Sequence, residues 1–183
     1  MEEQEDPTES LHEHIHESAH HAQAEGKDTW VIFVALTTAI IAVVSAITGL
    51  LAAYHSDEAM LKQLHASDQW NYYQAKGTKT DVLISETKML KAFGKPVDTA
   101  DVAKIKTNKE EQKKISADAK EAEEESHKHL ESHDILARSV TLFQISIAIS
   151  AIAILVKKRI FWFVSLGFAA FAAYFFILEV LGK

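Results

Sequence analysis

The chain has 183 residues, of which 19 are basic and 26 are acidic, and its formal net charge at pH 7 is −7. These charges are unevenly placed, because three runs of 25, 18 and 19 residues, at 30–54, 139–156 and 160–178, contain none. The remaining segments are too poor in apolar residues to bury a substantial core of their own. A soluble single-domain enzyme is therefore excluded, and the absence of cysteine excludes disulfides and cysteine-ligated metal centres.

Each uncharged run is long enough to cross a bilayer, since roughly 20 helical residues span its hydrocarbon core. The sequence predicts an all-α membrane protein with three transmembrane helices and a long antiparallel helical hairpin between spans one and two. The predicted segments, in chain order, are an acidic His-rich tail (1–28), span one (29–54), the extramembrane hairpin (55–138, with its turn at 94–97), span two (139–156), a basic turn (157–159) and span three (160–181).

The amino-terminal tail holds nine acidic residues, one basic residue and five histidines, so it does not have the basic start of a secretory signal. If the tail is helical, His12, His16 and His20 lie on one face at four-residue spacing, beside Glu9 and Glu13. Imidazoles at this spacing can bind zinc, nickel or copper, although one stripe supplies only two good ligands to an ion. The tail thus predicts a divalent transition-metal site. The alternative is a solvated acidic segment that binds metal only adventitiously.

Span one carries small residues at every fourth position, Ser45, Gly49 and Ala53. Such a stripe lets another helix backbone approach closely, so we interpret these residues as a helix-packing or oligomer face. The alternative is that alanine and glycine are simply common in membrane helices. In the other spans, Gln144 is expected to bridge helices, and Glu179 is expected to reach the membrane interface.

The predicted hairpin has only two strong helix breakers, Gly94 and Pro96, and its second helix is expected to start at an Asp98 or Thr99 cap. Folding there places residue n opposite roughly residue 191 minus n. This register brings His55 towards His133, and His65, opposite Ser126, towards His127 or His129. These histidines are a second candidate site for metal or protons, against the alternative of exposed polar residues on a helix.

The predicted seam of the second helix is polar, which departs from a clean coiled coil. Its stripe reads Ile105, Asn108, Gln112, Ile115, Ala119, Ala122, Ser126, His129 and His133. The first helix is richer in apolar groups and spreads Trp70, Tyr72 and Tyr73 over more than one face, which favours a homo-oligomer in which a second chain covers them. Nucleic acid is excluded as a partner, because residues 55–138 contain 14 basic and 16 acidic residues.

The stretch HSDEAMLKQLHASDQWNYYQAKGTK, which follows directly on span one, resembles the bacterial family catalogued as domain of unknown function 4337. The His-rich LHEHIHESAHH stretch, the charged helical middle and the two closely spaced carboxyl-terminal spans are also similar to that family. The most specific part is SDQWNYYQAKG, at 67–77. The resemblance implies a small bacterial inner-membrane protein. It implies no activity and no catalytic residues.

The dense basic cluster Lys157, Lys158 and Arg159 predicts that the turn between spans two and three lies in the cytoplasm. With three crossings, the amino terminus is then cytoplasmic, and the hairpin and carboxyl terminus are periplasmic. Because no nucleotide-binding loop or nucleophile motif occurs, we predict a non-enzymatic, homo-oligomeric structural or scaffolding protein. Its predicted partners are membrane lipid and further copies of the same chain. Metal binding through the tail is the first alternative function, and an oligomeric pore is the second.

Overall fold

A computed structural model describes residues 29–182, and all regular secondary structure within that range is helical. Three helices follow one another, α1 (Thr29–Ala92), α2 (Thr99–Val156) and α3 (Arg159–Leu181). Each contains a stretch long and apolar enough to cross a membrane. The predicted helical class and the three membrane-length segments are confirmed for these residues.

The described residues divide into two compact units. The first unit takes in 29–54 and 132–182, and its apolar core is a cluster of Ile41, Ala42, Phe143, Ile147 and Ala172. The second unit is His55–Glu131, in which α1 and α2 contribute the packed faces. α1 is continuous through Gly77, which lies in the interior of the helix.

The connection between α1 and α2 is set by Gly94, whose φ of 68° lies in the left-handed region. The Lys95 amide donates to the Leu90 carbonyl at 2.9 Å, and the Gly94 amide donates to the Lys91 carbonyl at 3.1 Å. This pair of bonds is the Schellman arrangement that closes a helix with glycine after its cap. α2 then starts with Asp98 as its cap, since the Asp98 carboxylate accepts from the Ala100 amide at 2.8 Å.

The contacts inside the second unit define its register. Ser126 Oγ donates to the Ala59 carbonyl at 2.8 Å, and Gln112 Nε2 donates to the Tyr73 carbonyl at 3.2 Å. The predicted register placed Ser126 opposite His65 instead, more than a turn further along α1. That register assumes that the last residue of α1 lies directly opposite the first residue of α2. The hydrogen bond from Lys95 back to α1 holds the connection beside the last turn, so the assumption fails.

Candidate functional site

The buried polar side chains of the first unit hydrogen-bond between α2 and α3. Ser139 Oγ donates to the Ala172 carbonyl, and Ser146 Oγ donates to the Ser165 carbonyl, both at 2.8 Å. Ser165 Oγ also lies 3.0 Å from Ser146 Oγ and 2.6 Å from Ser150 Oγ. All four serines are buried. Short hydroxyl side chains allow two helices to approach until each hydroxyl reaches the opposite helix, so this seam holds α2 against α3.

Two further contacts join α1 to α3 in the same unit. Trp162 Nε1 donates to Thr37 Oγ1 at 3.1 Å, and the Arg159 guanidinium lies 5.8 Å from the centroid of the Trp30 ring. An indole over a guanidinium is a favourable cation–π pair, and tryptophan is typical of membrane interfaces. These contacts fix the end of the unit that carries the basic turn.

The small-residue stripe predicted in span one turns out of the packed face along its length. Ser45 is buried, Gly49 is half-buried and Ala53 is exposed. A Cβ at Gly49 would lie 4.0 Å from Val140 Cγ2, which is ordinary contact. Four-residue steps on a helix of 3.6 residues per turn advance about 40° each, which explains the rotation. The packed face of α1 in this unit is instead Val34, Thr38, Ile41, Ser45, Thr48 and Ala52.

Two polar residues of the spans differ in their exposure within one chain. Gln144 is exposed on the outer surface of the first unit, next to the exposed Ile145. Glu179, expected to reach the interface, is only 8% exposed, on the face of α3 that also buries Ser165 and Ala172. Seven-residue spacing places these three α3 residues on one stripe.

The aromatic residues of the second unit divide into packed and exposed ones. Trp70 Nε1 donates to a Glu123 carboxylate oxygen at 2.9 Å, and its ring meets Tyr73 edge-to-face at 5.5 Å. Tyr72 is 54% exposed, with the Lys76 ammonium 5.5 Å from its ring centroid, and both residues line a surface cavity of about 680 Å³. The polar edge of Trp70 is therefore satisfied within one chain, and Tyr72 is the member of the trio left at the surface.

Ion pairs join the helices of the second unit. Lys62 Nζ lies 2.5 Å from a Glu125 carboxylate oxygen, and Lys76 pairs with Glu111. The hydrogen bond from Lys62 holds the pKa of Glu125 below its ordinary value, and the same bond raises the pKa of Lys62. Both groups are partly exposed, so the pair contributes little to the free energy of unfolding. Its main effect is to favour this alignment of α1 and α2 over others.

The histidines of the second unit include one close pair. His55 Nδ1 lies 3.0 Å from His129 Nδ1, and the ring centroids are 5.2 Å apart. The predicted partner of His55, His133, instead has its Nδ1 2.9 Å from the Ala52 carbonyl, within the first unit. A one-turn error in register is enough to exchange the two, because His129 and His133 are four residues apart.

The tail histidines His12, His16 and His20 lie outside the described residues. Within residues 29–182, no three His, Asp or Glu side chains come together so that they could hold a metal ion. Sequence reasoning missed the His55–His129 pair and the serine seam. The seam has a signal that could have found it, because Ser139 and Ser146 are seven residues apart, as are Ser165 and Ala172.

The chain is similar to a known protein family over most of its length. A family model described as Domain of unknown function (DUF4337) matches residues 30–182, which is most of the chain. No curated protein and no solved structure matches the chain significantly.

Proposed function

Because the chain belongs to the DUF4337 family, whose description names no activity, we propose its function from its contacts: it is a non-enzymatic, self-associating membrane protein that scaffolds other membrane components. The helices of membrane length supply the membrane-embedded part. Self-association supplies the scaffold, since repeated copies present the same surface at fixed spacing.

The way the spans use their polar groups supports a structural role. Ser139, Ser146, Ser150 and Ser165 are committed to hydrogen bonds between α2 and α3. The Thr38 and Thr48 hydroxyls donate to carbonyls of their own helix at 2.7 Å. Transporters, by contrast, place substrate-binding groups on broken helices near the bilayer midplane. Here the four serines hold α2 against α3, and the two threonines are satisfied within α1.

The exposure of Gln144 is the observation that supports self-association. The Gln144 side chain is polar and is exposed on the outer surface of the first unit, within an uncharged stretch of membrane length. An amide in hydrocarbon costs several kcal/mol unless it finds a hydrogen-bonding partner. A carboxamide both donates and accepts, so two copies of Gln144 satisfy each other across a symmetric contact. A second copy of this chain is therefore the partner that the residue fits.

We propose that α1 and α2 form an antiparallel hairpin over residues 55–138, on the periplasmic side of a bacterial inner membrane. The contacts of Ala59 with Ser126 and of Tyr73 with Gln112 support the antiparallel order, because the residue numbers rise along α1 as they fall along α2. The basic turn at 157–159 supports a cytoplasmic location for the connection between α2 and α3.

The test is the mass of the detergent-solubilised complex, measured by size-exclusion chromatography with light scattering. We expect a mass of more than one chain for the wild type and dissociation of Gln144→Leu, with a dissociation constant raised by about 3–30-fold. Thr141→Val is the matched control, because Thr141 is exposed on the same span but its hydroxyl already donates to the Ala137 carbonyl. A monomeric wild type contradicts the proposal, and conductance in planar bilayers supports a pore instead.

A further inference from the structure

The histidine pair of the second unit has the spacing of two ligands of one metal ion. His55 Nδ1 and His129 Nδ1 are 3.0 Å apart, with the ring planes inclined by 37°. Imidazole nitrogens bind zinc at about 2.0–2.1 Å, which places two such nitrogens about 2.9 Å apart in neighbouring square-planar positions and about 3.4 Å apart in tetrahedral ones. The observed separation lies within that range, so the two nitrogens can bind one ion without a change in the distance between them.

The neighbouring turns of α1 and α2 hold the pair at this separation. Ser126 and Ala59, each one turn from a histidine of the pair, are joined by a 2.8 Å hydrogen bond that fixes the distance between the two backbones. Lys62, three residues beyond Ala59, pairs with Glu125, the residue next to Ser126, across the same two helices. His55 is only 8% exposed, so its ring is held by packing as well. The two nitrogens are thus brought together by the fold before any ion binds.

We propose that His55 and His129 bind one late transition-metal ion, Cu²⁺, Ni²⁺ or Zn²⁺, at a site separate from the His-rich tail. A donor set of imidazole nitrogens selects these ions over Mg²⁺ and Ca²⁺, which prefer oxygen ligands. The protein supplies two ligands, and water fills the remaining positions. Bound metal links α1 to α2, so it stabilises the second unit.

The experiment uses the full chain in detergent with the five tail histidines replaced by asparagine, which removes their background binding. Zn²⁺ is titrated by calorimetry into this background protein and into versions that also carry His55→Asn or His129→Asn. The matched controls are His65→Asn and His127→Asn, because both residues are exposed on the same helices and lie outside the pair. The background protein should bind one ion per chain. His55→Asn and His129→Asn should each weaken Zn²⁺ binding by at least roughly 10–100-fold, which is the loss caused by removing a residue that only orients a ligand. The two control substitutions should leave Zn²⁺ binding unchanged.

A second measurement does not depend on the folding of any pair variant. Cu²⁺ added to the background protein should give an electron paramagnetic resonance spectrum with splitting from two imidazole nitrogens. Absence of binding in the background protein overturns the proposal. Equal weakening by the pair and control substitutions, or a Cu²⁺ spectrum without two nitrogen ligands, also overturns it.

Discussion

At the scale of single residues, Gly94 decides how the chain passes from α1 to α2. Its φ of 68° is a conformation in which a Cβ crowds the following carbonyl, at a cost of about 1–2 kcal/mol. We expect Gly94→Ala to lower the free energy of unfolding by about 1 kcal/mol, measured by chemical denaturation in detergent and followed by circular dichroism. The steric cost must come from the backbone, because a Cβ at Gly94 would meet no other atom within 4 Å.

Gly167 is the control for this substitution, because it lies inside α3 with open space around it. Alanine favours a helix interior over glycine by roughly 1 kcal/mol, so Gly167→Ala should leave stability unchanged or raise it. Equal losses from Gly94→Ala and Gly167→Ala would show that the left-handed conformation is not the cause.

The Lys62–Glu125 pair makes the stability of the second unit depend on pH. Hydrogen bonding lowers the pKa of Glu125 from 4.5 and raises the pKa of Lys62 from 10.5. The contribution of Glu125 is therefore complete above pH 4.5 and is lost as pH falls through its lowered pKa. The contribution of Lys62 is complete below pH 10.5 and is lost as pH rises through its raised pKa.

We expect a double-mutant cycle of Lys62→Met and Glu125→Gln to show coupling between the melting temperatures at pH 7. The coupling should disappear at strongly acidic pH, and it should weaken with salt because both side chains are partly exposed. The circular dichroism melt of all four proteins at both pH values measures it. Coupling that persists after Glu125 is protonated would mean that packing of the two stems, not charge, links the residues.

At the scale of elements, the stripe predicted for α2 contains the α2 residues that are buried in the second unit. Ile115, Ala119, Ala122 and Ser126 are all buried, and their spacing alternates between four and three residues as in interdigitating helices. The sequence also showed that this stripe is polar. It could not show why the polarity is tolerated, because the Ser126–Ala59 bond depends on the register of the two helices.

Gly77 illustrates the same dependence on the facing helix. A Cβ at this position would lie 2.8 Å from Gln112 Nε2, which donates to the Tyr73 carbonyl. Sequence reasoning treats a glycine within a helix as a weak point. Here it leaves room for the Gln112 amide to cross to α1.

We therefore expect Gly77→Ala to be nearly neutral, since the gain in helix propensity of about 1 kcal/mol offsets a lost hydrogen bond of about 1 kcal/mol. In a Gln112→Ala background, where that bond is already absent, the same substitution should stabilise by about 1 kcal/mol. The cycle is measured by denaturation of the four proteins. An effect of Gly77→Ala that is the same in both backgrounds would contradict the proposed role of Gln112.

At the scale of the whole molecule, the features predicted most reliably from the sequence are those that depend only on whether a segment lies in water or in lipid. The membrane-length segments follow from the absence of charge, which a bilayer imposes on any fold. The partner of His55 depends on a register that a single connection sets, and the predicted partner differs from the observed one by a turn. The serine seam depends on which face of α3 meets α2. Which residues of two helices contact each other is decided by how the helices pack. The pattern of residues within one helix does not contain that information.

The orientation in the membrane gives the last prediction, because the basic turn at 157–159 is the main feature that sets it. The chain has no cysteine, so Ser18→Cys and Thr107→Cys each introduce a unique thiol, one in the tail and one on the exposed surface of α2. In intact spheroplasts, a membrane-impermeant maleimide should label Thr107→Cys and should label Ser18→Cys only after the membrane is permeabilised. The unsubstituted protein is the control for background labelling. Equal labelling of both variants before permeabilisation, or labelling of Ser18→Cys alone, would overturn a cytoplasmic amino terminus with a periplasmic 55–138 segment.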